Sequence, residues 1–430
     1  MARNEAPRKG ARGRTPASKQ ARRTRATGAA RHEPAVKPAR HAPGTPGPAQ
    51  QSASGPKRAA REYGTGFDDK LQPTTPLDLA RVRSVSDLVE AYGHTAIGAR
   101  QVGAAADILH AMTLDRDCFV VATVSGAMTV AKMGLVLCDM IDHGMVQALV
   151  CTGALMAHGF VEASGKVHFK YDPAMRDEDL FERGYNRVYD SIELERNLDD
   201  VELIFRRVLE SESAGEPWSS VRITRALGAY LSRHDLGRGI LRSAYEREVP
   251  VYVPAFTDSE LGLDFAIHNH RRVQRGEPRL CFDPFLDLDE YKRRAESAPR
   301  LGIFTVGGGV PRNWAQQVGP YLDLLQKRAG IGGGLRRFQY GVRICPEPTH
   351  WGGLSGCTYS EGVSWGKFVP VAAGGRYAEV YADATIVWPL VVKAVMERLG
   401  GVAGANAAVP PARARQARRA GCRGPSRPGR

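Results

Sequence analysis

The 430-residue chain has no run of about 18 uncharged apolar residues, and its arginine-rich start offers no apolar stretch for a signal peptide. A cytoplasmic protein without membrane spans is the expectation. Its seven cysteines are scattered, with no CxxC pair and no Cys/His spacing suited to tetrahedral zinc, so they read as reduced structural thiols and no metal is expected. The first 62 residues contain no Ile, Leu, Phe or Trp and cannot offset the entropy of ordering. Residues 1–62 and 401–430 are therefore expected to be disordered basic tails around a folded body at 63–400, either as functional arms or as unconstrained sequence.

The formal net charge of +14 suggests nucleic acid until the charges are located. The first 62 residues hold fifteen Lys/Arg against three acids and the last thirty hold seven Arg against none, which leaves the body at −5. A mildly acidic body does not look like a nucleic-acid platform.

From about residue 70 to 400, short β-branched runs alternate with longer helical stretches. That pattern predicts an α/β fold, a doubly wound, mostly parallel Rossmann-like sheet with helices on both faces. The predicted strands are Cys118–Val124, Val146–Cys151, Val249–Pro254, Leu301–Val306, Gln339–Ile344 and Tyr377–Tyr381. Most end in small or polar residues, such as Ser125-Gly126-Ala127, Thr152-Gly153-Ala154, Thr257-Asp258-Ser259 and Gly307-Gly308-Gly309. Open α/β sheets bind ligands beyond such ends, where backbone amides approach a phosphate. A strict GxGxxG is absent, and a structural turn explains any single glycine-rich end equally well.

The run Ser360-Glu361-Gly362-Val363-Ser364-Trp365-Gly366-Lys367, followed by Val380-Tyr381-Ala382-Asp383-Ala384, resembles the lysine motif of the deoxyhypusine synthase family. Val124-Ser125, Thr152-Gly153, Ala255-Phe256-Thr257-Asp258 and Gly307-Gly308-Gly309-Val310 extend the resemblance over roughly residues 75–397. It implies an NAD-dependent transferase that moves the aminobutyl group of a polyamine such as spermidine through an imine on a lysine. It also implies a homotetramer with active sites at subunit interfaces. Carried over to this chain, Lys367 would form the imine, Glu361 would hold a substrate ammonium, and Trp365 would stack on the polyamine. Ser125, Gly126, Thr152, Gly153, Asp258, Gly308, Asp383 and Ala384 would line NAD. The alternatives are a helix N-cap for Asp383, a solvated loop carboxylate for Glu361 and a surface lysine for Lys367. A lysine attacks only when unprotonated, so its pKa must fall, and burial beside an apolar ring such as Trp365 would lower it.

Several positions depart from the family pattern. Asn313 stands where a histidine is expected, Leu263 and Leu354 where aspartates are expected, and Ala157-His158 where paired acids are expected. Asp264 lies beside Leu263 and would serve as a substrate carboxylate. Asn313 neither gives nor takes a proton near neutral pH, which would shift proton transfer to His158, Glu361 or water; His158 could equally be structural. These departures resemble the bacterial deoxyhypusine-synthase-like branch, in which a small diamine, putrescine, accepts the fragment to give homospermidine. A protein lysine as acceptor and a catalytically silent NAD- or polyamine-binding protein are the other readings.

Overall fold

The computed structural model describes residues 63–211, 215–352 and 356–405; Leu354, residues 1–62 and residues 406–430 lie outside them. The chain divides into a unit Met1–Leu71 and a unit Gln72–Arg430, and the second carries the architecture below.

In chain order the elements are α1 (Val85–Gly93), α2 (Ile97–Leu114), β1 (Cys118–Val124), α3 (Gly134–Asp142), β2 (Ala148–Cys151), α4 (Gly153–Ala163), β3 (Phe169–Lys170) and α5 (Asp177–Glu182). Then come β4 (Tyr185–Val188), β5 (Ser191–Leu194), α6 (Glu195–Ser211), α7 (Ser220–Arg233), α8 (Ile240–Glu246), β6 (Val251–Tyr252), α9 (Glu260–Gln274) and α10 (Phe285–Ser297). β7 (Arg300–Val306), α11 (Gly309–Gln316), α12 (Val318–Ala329), β8 (Phe338–Ile344), α13 (Tyr359–Ser364), β9 (Arg376–Val380) and α14 (Ala384–Ala405) complete the chain.

Six strands form one parallel sheet in the order β6-β2-β1-β7-β8-β9. These are the six segments expected from the sequence, with ends moved by up to two residues. Every residue of β1 is buried, which is why it reads as a continuous apolar run. Successive side chains still alternate: Val120, Ala122 and Val124 pack into one core, Phe119 and Val121 into the other. The first core includes Trp388 of α14, whose indole N–H donates to Met140 Sδ at 3.2 Å, and the second includes Tyr252, Tyr291, Phe338 and Phe368. Thr123 and Thr305 join hydroxyls at 2.9 Å across the β1–β7 pair, satisfying each other where water does not reach.

A small antiparallel sheet, β3-β5-β4, lies outside what the sequence pattern predicts. Its strands span two to four residues and carry charges and exposed positions, so the alternation that marks a strand never accumulates. Helix α14 runs on past residue 400 to Ala405. Among the described residues no helix is long and apolar enough to cross a membrane.

Candidate active site

The sheet order creates a switch point. From β1 the chain moves to β2 on one side and later returns to β7 on the other, and in such sheets the crevice between diverging connections receives ligands. The loops after β1 and β7 meet there, with the Ser125 hydroxyl donating to the Gly308 carbonyl and a Cβ on Gly307 reaching 3.1 Å from Ser125 Cβ. Thr152, after β2, donates through Oγ1 to the Gly126 carbonyl at 2.8 Å while accepting from Leu155 N at the start of α4. Gly126 and Gly309 have φ of +70° and +60°, with open space where a Cβ would stand. Helices α4 and α11 begin immediately after their strands, so their free N–H groups face the same rim. This cradle, with its bare backbone and two helix starts, fits the phosphates of a dinucleotide.

Asp258 adjoins the group, because Gly153 lies against Ser259 so closely that a Cβ would come to 2.3 Å from Ser259 Cβ and 3.4 Å from the Asp258 carbonyl. Asp383 and Ala384 stand to one side of it. They follow β9, two strands from β7 and about 10 Å from it at normal strand spacing, on the side of the cradle away from β6 and Asp258. Asp383 accepts from Thr385 N at 2.7 Å and so caps the start of α14, and Ala384 is buried in the core.

The lysine motif is a helix and its stop signal. Thr358 caps α13 by accepting from Glu361 N at 3.1 Å. The helix closes in a Schellman turn, with Trp365 as C-cap, Gly366 at φ +71°, Gly366 N donating to Val363 O and Lys367 N to Gly362 O, both at 3.0 Å. Gly362 admits Phe368, since a Cβ there would stand 2.4 Å from its ring. This turn drives Lys367 inward. The side chain is 7% exposed, and its ammonium donates to Asn313 Oδ1 on α11 at 3.0 Å. Burial is the main cause that lowers the Lys367 pKa below 10.5, and the neighbouring Arg312 adds to it against the charge of Glu361.

Trp365 does not supply that burial, contrary to expectation, because its ring is 65% exposed. As the C-cap it points off the end of α13, while the buried neighbours are Phe338 and Phe368. Glu361 is exposed on the first turn of α13. Expected proton donor His158 is elsewhere: α4 follows β2, three strands from β8, and His158 Nδ1 lies 3.0 Å from Glu193 Oε2. His168 Nε2 approaches the same oxygen at 2.5 Å, and its Nδ1 lies 2.8 Å from Lys132 Nζ and 3.2 Å from Glu162 Oε1. Burial opposes charge on both partners, but Glu162 and Glu193 outweigh it and raise His168 to about 9, while His158 and His168 bring Glu193 down to about 2. The donor atoms of His158, His168 and Glu193 lie within 4.8 Å of one another, a spacing a divalent ion could use, yet each already faces an ionic partner.

Asp264 faces a cavity of ≈ 250 Å³ lined also by Asp199, Glu202, Glu260 and Arg271, between α4, α6 and α9. Burial, then the charges of Glu202 and Glu260, raise its pKa to about 7. Two further residues belong to the site without having been expected from the sequence. Arg312 and Arg343 are buried beside Tyr359 and Gly356. An arginine inside the otherwise apolar end of β8, Gly341-Val342-Arg343-Ile344, was the available signal.

A sequence profile of deoxyhypusine synthase matches residues 87–395. The "Probable deoxyhypusine synthase 2" of Methanosarcina mazei is 35% identical over 335 residues, covering 77% of this chain and 91% of its own length. "Probable deoxyhypusine synthase 1" of Methanosarcina acetivorans is 33% identical, covering 76% of this chain and 96% of its own length. The "Deoxyhypusine synthase-like protein" of Chlorobaculum parvum is 30% identical, at 72% and 85% coverage. With a parallel sheet whose strand ends meet as the motifs required, and a profile that spans more than half the sequence, the chain belongs to the deoxyhypusine synthase family.

Proposed function

We propose that this protein is an NAD-dependent aminobutyl transferase of polyamine metabolism that works through an imine on Lys367. The observation that carries the reading is the inward turn of Lys367: a buried amine, lowered in pKa by that burial and held by Asn313, is pre-organised as a nucleophile. Ser125, Gly126, Thr152, Gly153, Asp258 and Gly308 would hold the dinucleotide, with Asp383 and Ala384 contributing from the loop after β9. When bound, NAD supplies the two-electron acceptor that makes the carbon beside a polyamine nitrogen electrophilic, and later returns those electrons.

The chain's own residues do the rest. The neutral Lys367 amine attacks the imine carbon of the oxidised donor, and the remainder of the polyamine leaves as an amine. Asn313 accepts a hydrogen bond from the lysine and fixes its direction without competing for its proton. Glu361 stands close enough to act on the charge of Lys367 and would hold the terminal ammonium, with proton transfer passing to it or to water. His158 is assigned only a supporting role, because its Nδ1 is engaged by Glu193. Asp264 and its acidic cavity suit a second ammonium. An acceptor amine then displaces Lys367, and putrescine would give homospermidine. Exposed Val371 lines an open groove of ≈ 590 Å³ beside α13, and exposed Trp365 caps the same helix; both suit a subunit contact in a homotetramer, which would also place Trp365 against substrate.

Incubation with NAD and labelled spermidine, with and without putrescine, tests the reading. Labelled homospermidine and a borohydride-trapped adduct on Lys367 are expected. Label on a protein lysine would move the acceptor assignment, and a wild-type protein yielding neither product nor adduct would refute the transferase reading.

A further inference from the structure

Arg312 of α11 and Arg343 of β8 are 2% and 1% exposed, yet Nε and Nη2 of the first and both Nη atoms of the second have no hydrogen-bond partner. Protein interiors very rarely leave guanidinium groups so, because a buried charge is retained only with a counter-charge or a full set of acceptors. Both groups also flank one point. A Cβ on Gly356 would stand 2.7 Å from Arg312 Nη1 and 2.9 Å from Arg343 Cζ and Nη2. The Tyr359 hydroxyl, buried and unpartnered, belongs to the ring over which Arg312 lies at 5.5 Å.

Nearby acids form no ion pair with the two arginines. Glu379 is the cross-strand neighbour of Arg343, but its Oε1 accepts from Tyr359 N at 3.1 Å and its Oε2 from Tyr381 OH at 2.6 Å. No ion pair joins either arginine to a carboxylate among the described residues. Arg343 Nε donates to the Gly307 carbonyl at 3.1 Å, which fixes its fork under the glycine loop. Arg312 precedes Asn313, the residue that holds Lys367.

We propose that Arg312 and Arg343 form a binding site for a small oxyanion, a phosphate or carboxylate group, between the Gly307–Gly309 loop and the Lys367 amine. Planar forks match such groups in bidentate fashion, and two of them supply the donors that a single oxyanion accepts. The inference builds on the lysine-centred reading above but names a different ligand chemistry. That group is either a phosphate of the dinucleotide or a carboxylate on the amine substrate.

The test uses full-length protein, wild type and the variants Arg312→Met and Arg343→Met, with thermal unfolding and titration calorimetry as readouts. Inorganic phosphate should raise the wild-type Tm above that in chloride of equal ionic strength, and the variants should lose this response. If the oxyanion belongs to the cofactor, the Kd for NAD weakens roughly tenfold to a hundredfold in both variants. If it belongs to the substrate, NAD binding is unchanged and 4-aminobutyrate, which butylamine matches without the carboxylate, loses its affinity instead. Either pattern supports the site. A wild-type protein indifferent to phosphate, NAD and 4-aminobutyrate overturns it, even should a variant fail to fold, and so do variants that bind all three as the wild type does. Borohydride trapping on Lys367 is scored separately, so a protein that forms the adduct but ignores oxyanions loses this inference alone.

Discussion

At the scale of single residues, the chemistry depends on an amine whose surroundings penalise its charge. Placing a carboxylate at the atom that accepts from Lys367 reverses that penalty, since an anion about 3 Å away favours the ammonium. Asn313→Asp is therefore expected to cut borohydride-trapped adduct at pH 7 to 8 by tenfold or more, on the order of one pKa unit, with recovery as the pH is raised. An adduct yield in Asn313→Asp equal to wild type across this range would show that Asn313 does not set the protonation of Lys367. Asp264 gives the opposite case. Its folded pKa of about 7 exceeds the ordinary 3.8, so its favourable protonated form is complete below about pH 3.8 and the benefit is lost as pH rises through 7. Asp264→Asn should be more stable than wild type above pH 7, with the gap closing toward pH 4 in urea titrations.

Helix α4 and the small sheet are joined by an ionic network, and there the unit of stability is the pair. Glu193, 1% exposed, receives His158 and His168, and Asn197 of α6 donates to it at 3.4 Å. Glu193→Gln leaves a buried His168 facing only Glu162 among its carboxylates, and a loss of about 3–5 kcal/mol is expected in denaturant unfolding. The pH dependence follows from the two shifts. Raised to about 9, His168 contributes stability that is complete below about 6.5 and lost as pH rises through 9. Lowered to about 2, Glu193 contributes stability that is present above 4.5 and lost as pH falls through 2. Unfolding of wild type and Glu193→Gln from pH 2 to 10 should draw together toward both extremes; parallel curves would show that the network does not titrate.

For the molecule as a whole, the apolar surface around the lysine motif has a consequence for assembly. Trp365 and Val371, at the end of α13 and in the segment after it, are exposed by 65% and 73%. Light scattering on the full-length protein is expected to give a tetramer, and Val371→Glu to shift it toward smaller species with loss of the Lys367 adduct. A monomeric wild type would remove the interface role given to Trp365. The paired cores on the two faces of the sheet are independent of this, and Phe304→Ala should cost about 3–5 kcal/mol in monomer and assembly alike.

Local signals in the sequence were enough for the six parallel strands and their small-residue ends, and the resemblance of the lysine motif implied the inward lysine. Each depends on a few consecutive residues: an apolar run, a glycine at a strand end, or the Trp365-Gly366-Lys367 turn whose φ of +71° only glycine takes easily. The side of the sheet on which each connection returns depends on packing between residues far apart in sequence, so only the fold brought Ser125 against Gly308 and parted Asp258 from Asp383. Burial of a charge is likewise a tertiary property. The residue names could not show that Trp365 lies open, that His158 belongs to Glu193, or that Arg312 and Arg343 meet with guanidinium atoms unpartnered, because solvation at a point is set by every element that surrounds it.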